Sequence, residues 1–321
     1  MNRGPGRALL AVVGVALASG LLVLCFVSAG HAPALHGVNV ATVAPEPVRS
    51  ALQHGFDQVA PGAIDLVPSA DPGAARSAVD SRTAYAAFVA GPRTGTLLVA
   101  SAASSSVASA LEAAFSHALA AAHRPLVVSD LKPLPTGDPR GVSALLSVIP
   151  LSIASLAVAM ALWLLAPDLP GWERLGMLLV YAVVAGLLGG AVGATTGAFS
   201  GHAWALALAG GALALAVSWF TAGAVQVLGP AGAGVSGALV VALGFPSSGG
   251  ATAPQMLPTF WRTISPLLPP GAGVTLVRNL VYFDGNAVGP SLATLGVFAL
   301  LGVVGCTVPQ GRRRAPVPAA A

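Results

Sequence analysis

The stretch Ala203 to Val227, AWALALAGGALALAVSWFTAGAVQV, decides the fold: its 25 residues contain no charge. A helix needs about 20 apolar residues to cross the hydrocarbon core of a bilayer. The surroundings repeat the signal. Val142 to Ala166 and Leu175 to Phe199 are charge-free in their interiors, as are Gly232 to Phe245 and Ala287 to Val308. A sixth run, Ala8 to Ala29, follows Arg3 and Arg7. It is longer than the apolar core of a signal peptide, about 7 to 15 residues, so an uncleaved signal anchor is expected rather than a leader. Composition agrees: 55% hydrophobic and 8% charged residues, against about a quarter charged in a globular domain, with mean hydropathy +0.81. These figures exclude disordered, collagen-like and disulfide-rich secreted classes.

The net charge of +4 and pI of 9.7 invite a nucleic-acid reading, which the distribution of charge removes. Residues 31–140 hold seven basic residues against eight acids. The excess sits at the termini, in Arg3, Arg7 and Arg312 to Arg314. Lys and Arg accumulate on the cytoplasmic side of membrane helices, so the basic balance reads as topology. Both termini are then cytoplasmic, with residues 31–140 outside, Asp168 to Arg174 inside, and Pro246 to Asn286 outside. The fifth run, Gly232 to Phe245, is short for a span, so a span with little tilt, an earlier start near Gln226 or a broken helix is expected there.

Residues 31–140 have the composition of a soluble domain. Strands are expected at Val38–Val43, Ala63–Val67, Ala84–Ala90, Gly95–Ala100 and Leu126–Ser129, with helices at Pro47–His54, Pro72–Val79 and Ser105–Ala122. In the last helix Val107, Leu111, Phe115 and Leu119 recur every four residues, one face of a helix. The order β-α-β-α-β-β-α-β implies helices packed against one sheet. The expected fold is thus an α-helical integral membrane protein with about six transmembrane helices plus a small extracytoplasmic α/β (α+β) domain between the first and second. Its parts are residues 1–30 (N-terminus and signal anchor), 31–140 (external domain), 141–308 (five-helix membrane domain) and 309–321 (basic cytoplasmic tail).

Chemistry-bearing motifs are sparse. Intramembrane ionisable residues mark proton and ion paths, and the span interiors hold none, which argues against ion coupling and intramembrane proteolysis. The single lysine, Lys132, rules out a phosphate-binding GxxxxGK[ST] loop. The six histidines have no metal-ligand spacing. No catalytic residue, cofactor or metal is expected, and the chain is not read as an enzyme. Gly189, Gly193, Gly197 and Gly201 recur at four-residue intervals, with Gly186 and Gly190 as a second such pair, and are expected to let helices approach closely, within one subunit in preference to a dimer seam.

The segment 246–286, PSSGGATAPQMLPTFWRTISPLLPPGAGVTLVRNLVYFDGN, carries too many prolines for one spanning helix, yet is apolar. Broken backbone is tolerated at membrane depth only where protein or a water-filled cavity surrounds it. Two readings stay open: a re-entrant or interfacial helical pair at the outer mouth of a pathway, or an amphipathic loop on the surface.

At this loop the sequence resembles the membrane subunits of ABC-2-type transporters, in particular the bacterial phage-infection-protein-like branch. The resemblance rests on Ser247-Ser248-Gly249-Gly250, Pro254, Leu257-Pro258, Phe260, Ser265-Pro266, Leu268-Pro269, Arg278 and Gly285. In the external domain it rests on Leu97 to Ala102 and on Pro133-Leu134-Pro135, Gly137-Asp138-Pro139-Arg140-Gly141. It implies a permease-like subunit in the bacterial plasma membrane, a homodimer or a heterodimer with another permease, that exports a substrate with energy from a separate ATP-binding subunit. Ser248, Gly249, Pro254, Pro258, Phe260, Trp261, Pro269 and Arg278 would then form an outer gate. The inner-loop residues Asp168, Trp172, Glu173 and Arg174 would meet the ATPase. Long coiled-coil insertions of larger relatives are not found in this sequence. A membrane-anchored binding or scaffold protein acting through its external domain is the alternative.

Overall fold

A computed structural model describes residues 4–199 and 201–308; the Arg312 to Arg314 cluster and Arg3 lie outside the described residues. Six helices are long and apolar enough to cross a membrane. They are α1 (Gly4–Gly30), α5 (Ser143–Leu165), α6 (Gly171–Thr196), α7 (Ala203–Leu228), the span Pro230–Ser247, and α12 (Val288–Thr307). Their outward faces are hydrocarbon: Leu17, Leu21, Leu164, Val180, Leu187, Leu188, Leu300 and Val304 are all exposed. Such a surface is stable only in an apolar surround, and this is the pattern of a multi-pass membrane protein.

Between α1 and α5 lies one five-stranded sheet: β1 (Val38–Val43), β2 (Ile64–Pro68), β3 (Ala86–Ala90), β4 (Gly95–Val99) and β5 (Leu126–Asp130). The spatial order is β2-β1-β3-β4-β5. β1 is parallel to both neighbours, β3 and β4 form an antiparallel hairpin, and β5 runs parallel to β4. Three helices cover it: α2 (Glu46–Val59), α3 (Pro72–Asp80) and α4 (Ser105–Ala121). The element order is the one the hydrophobic pattern implies, and β1 has the expected bounds. In α4 the periodic residues Val107, Leu111, Phe115 and Leu119 are buried. α2 and α4 share one face, where Phe56 and Phe115 meet at a 5.0 Å centroid separation. α3 packs Ala75 and Val79 on the other. Asp71 and Ser104 start α3 and α4 by accepting from the N–H groups of Ala74 and Val107, the usual stabilisation of helix starts.

The membrane bundle is organised around α7, which is buried along most of its length. Glycines make this possible. A Cβ on Gly186 or Gly190 of α6 would lie 2.5 or 2.8 Å from the α7 carbonyls of Ala207 and Ala203. On the other side, a Cβ on Gly302 of α12 would meet the Trp219 backbone at 2.2 Å. The Gly186 and Gly190 pair thus lies in the seam, and the expected Gly189, Gly193, Gly197 series is corrected. Gly193 does pack, against Leu206 and Phe199, but Gly189 has only Leu151 at 4.0 Å, and Gly197 closes α6 in the left-handed conformation (φ 67°). The seam follows Gly186, Gly190 and Gly193, because 3.6 residues per turn carries a strict four-residue stripe away from the contact.

The fifth span runs Pro230–Ser247, 18 residues, longer than Gly232 to Phe245. It starts as α8 (Pro230–Gly237), widens into a π-helix over Ala238–Gly244 and ends in α9 (Phe245–Ser247).

Candidate functional site

Between the fifth span and α12 the chain folds into a hairpin whose returning arm lies inside the bundle. The ingoing arm consists of a 3₁₀ turn (Pro254–Met256), α10 (Thr259–Ile264) and a second 3₁₀ turn (Ser265–Leu267); α11 (Pro269–Tyr282) returns. Most of α11 is buried, Pro269 to Val274 and Leu276 to Asn279 included. Its Leu276, Val277 and Val281 share one apolar core with Val148 of α5, Leu213 of α7, and Leu295 and Phe298 of α12.

The depth of the hairpin follows from its contacts. A Cβ on Gly273 would touch Leu213 and Val148 at 3.3 Å, and Thr294 Oγ1 donates to the Pro266 carbonyl at 2.8 Å. At 1.5 Å per residue, these partners lie about 8 to 15 Å along their helices from the ends nearest the sheet domain. α11 is therefore enclosed by the bundle helices, while Pro266 and Leu267 of the turn before it are exposed.

Its tip explains the paired prolines. The first N–H groups of a helix lack intrahelical acceptors, a heavy cost where no water reaches. Pro269 and Pro270 occupy the first two positions of α11 and bring no N–H at all, while the N–H of Ala272 is satisfied by the Leu268 carbonyl. Leu268 is extended (φ −115°, ψ 144°) and breaks the helix at that point. The ring of Pro270 packs on Gly244, where a Cβ would lie 2.6 Å from it. The widened π turn of the fifth span therefore sits beside the tip, and π turns often occur at functional positions.

Arg278 holds the other end. Its Nη1 donates to the Gly249 carbonyl at 2.8 Å, and its Nη2 to the carbonyls of Gly250 at 3.0 Å and Gly141 at 3.1 Å. The planar fork of a guanidinium suits several fixed acceptors at once. Gly249 is left-handed (φ 71°) with Pro254 close against it. Ser248 is buried and donates to Phe245 O. Ser248, Gly249, Pro254 and Arg278 are thus brought together. Pro258 precedes α10, and Trp261 is buried against Cys25 and Ala29 of α1. Phe260 is 58% exposed and faces away from this cluster; Pro269 stands at the tip.

Asp138 supplies a residue that spacing did not single out. Its buried carboxylate accepts from the N–H groups of Val142 and Ser143 and so starts α5; an Asp a few residues before an apolar run is the signal that could have found it. Tyr85 donates to Gln255 Oε1 at 2.5 Å, joining the sheet domain to the hairpin. Burial pushes the Tyr85 phenol above its ordinary range and holds Arg82 below its own. Phe283, at the end of α11, is fully buried against the sheet domain.

At the opposite end of the bundle the inner-loop set divides. Trp172 is 75% exposed, but Arg174 is completely buried. Its Nη1 donates to Gln226 Oε1 at 3.0 Å and its Nη2 to the carbonyls of Ala166 and Leu169. Arg174 is therefore corrected from a surface contact to a staple that joins α6, α7 and the end of α5. Asp168 and Glu173 are not buried. The two cysteines, Cys25 and Cys306, are free and buried.

No protein-family model, curated protein or solved structure matches this chain.

Proposed function

We propose that this chain is a permease-like subunit of an ABC-2-type transport system in the bacterial plasma membrane. It exports its substrate with energy from a separate ATPase and works as a dimer with itself or a second permease. The observation that carries this reading is the hairpin between the last two spans, whose returning helix α11 is buried among α5, α7 and α12; we read it as a re-entrant outer gate. Three details support it. The tip is built for burial by Pro269 and Pro270, and the π turn Ala238–Gly244 of the neighbouring span packs its Gly244 against Pro270. With the first span taken as Val12–Gly30, the charged residues within the six spans are Glu173 and Arg174, and Arg174 is held by hydrogen bonds to Gln226, Ala166 and Leu169, so ion coupling has no pathway of carboxylates to use there.

The test is affinity purification of the full chain from native membranes, with ATP hydrolysis measured in the captured complex. An ATPase should co-purify, and Trp172→Ala with Glu173→Ala should reduce its association without altering the melting temperature of the chain. Capture of no ATP-hydrolysing partner from cross-linked native membranes sinks the proposal.

A binding or scaffold role has one observation in its favour. The edge strand β5 exposes Val127 (51%) and Val128 (36%), and unprotected edge strands invite added strands. Envelope proteins captured by the full chain and lost on Val127→Lys with Val128→Lys, with no ATPase present, would favour it.

A further inference from the structure

Phe283 ends α11, yet its ring is not in the bundle core. It has no exposed surface and packs with Ala41 of β1, Ala75 and Val79 of α3, Ala87 of β3 and Leu98 of β4. The gate hairpin thus ends in an aromatic bolt seated in the sheet domain. Polar contacts surround it. The Arg82 guanidinium stacks 4.6 Å from the Phe283 ring centre. Lys132 Nζ lies 3.3 Å from Asp284 on the hairpin and 3.9 Å from Asp80 at the end of α3. Asn286 Nδ2 donates to the Asp80 carbonyl at 3.2 Å.

The ingoing arm is fastened independently. The N–H groups of Ala34 and His36, in the link between α1 and β1, donate to the carbonyls of Met256 and Gln255. Arg262 Nη1 donates to the His36 carbonyl at 2.9 Å, and Tyr85 bonds Gln255. Ala253 is buried in the sheet-domain core.

Both arms are therefore tied to the sheet domain; Leu257 and Trp261 of the ingoing arm also rest on α1 and the fifth span, and the tip and α11 rest on the bundle core. We infer that the sheet domain is the lock of the hairpin: the two move as one body, and the hairpin leaves its seat between α5, α7 and α12 only when the sheet domain tilts or releases Phe283. This rests on the gate reading and adds to it a site of control, so that a partner or substrate gripping the sheet domain acts directly on the gate.

The experiment uses the full chain in lipid nanodiscs, with Cys25 and Cys306 replaced by Ala and Thr275→Cys introduced on α11. The rate of labelling by a membrane-impermeant thiol reagent reports withdrawal of the hairpin. Phe283→Ala should raise the rate at least tenfold, and Phe283→Leu should restore most of the protection. Lys132→Asp, which sets like charges against Asp80 and Asp284, should also raise it, and adding Asp284→Lys should bring it back. These charge variants decide the matter if Phe283→Ala does not fold. Unchanged labelling in folded Lys132→Asp and Phe283→Ala overturns the lock. Solute leak from proteoliposomes separates the two readings. Faster labelling without leak keeps the lock and removes the gate; leak without faster labelling removes the lock alone.

Discussion

The guanidinium of Arg278 donates to the carbonyl of Gly249 at 2.8 Å, and by this bond a helix that returns from the bundle grips the end of the span that precedes the hairpin. The same side chain reaches Gly250 and Gly141, so three backbone carbonyls from two segments depend on one residue. A buried acceptor left without a donor costs about 1 to 3 kcal/mol. Arg278→Met should therefore lower the thermal midpoint clearly, with Arg278→Lys in between, because an ammonium cannot span the acceptors that a planar fork reaches. Thermal unfolding in detergent, followed by intrinsic fluorescence, reads this; equal midpoints for all three chains would remove Arg278 from the account of the hairpin.

The helix seam gives a matched pair. On Gly186 a new Cβ would lie 2.5 Å from the Ala207 carbonyl, whereas on Gly189 it meets only Leu151 at 4.0 Å. Gly186→Ala must push α6 from α7, a strain of about 1 to 3 kcal/mol. Gly189→Ala should be neutral or slightly stabilising, since alanine is the better helix former. The comparison of the two thermal midpoints tests the seam, and a larger loss from Gly189→Ala would return it to the four-residue stripe.

Much of the sheet domain was legible because its signals are local. The alternation around Val38–Val43 and the four-residue period of Val107, Leu111, Phe115 and Leu119 each need only neighbours along the chain. The spatial order of the strands is different: β1 lies between β2 and β3 through crossovers whose pairing no local pattern records. The prolines of 246–286 told that the helix breaks but left open whether the segment lies on the surface or enters the bundle. Gly273 of α11 meets Leu213 and Val148, residues about 60 and 125 positions away, and their proximity follows from packing. Arg174 was misread for the same reason. Beside Glu173, near a loop, it looks solvated, and its acceptor Gln226 belongs to another helix.

Arg174 and Trp172 should now separate stability from coupling. Removing Arg174 leaves the Gln226 side chain and two carbonyls short of a buried donor, so Arg174→Ala should destabilise the chain by about 2 to 4 kcal/mol. Trp172 is mostly exposed, and Trp172→Ala should leave the thermal midpoint within the small range of surface changes, about 0.5 kcal/mol. Under the transport reading Trp172→Ala still loses ATPase association. If the two variants unfold alike, Trp172 is a packing residue and the ATPase contact must lie elsewhere.

The paired prolines of the hairpin tip make the sharpest prediction about the membrane. Pro270→Ala adds one N–H to the start of a helix already buried in protein and removes the ring that fills the space beside Gly244. Both effects destabilise, the first by about 1 to 3 kcal/mol for an unsatisfied buried donor. In a water-exposed helix start the new N–H would be solvated and cost little. Pro266→Ala is the control, since Pro266 is exposed in the preceding 3₁₀ turn and its carbonyl, the acceptor for Thr294, survives the change. The expected result is a clear drop in thermal midpoint for Pro270→Ala and little change for Pro266→Ala. Equal small effects would mean that water reaches the tip of α11, and the hairpin would then be an interfacial pair on the surface of the bundle and not a re-entrant one.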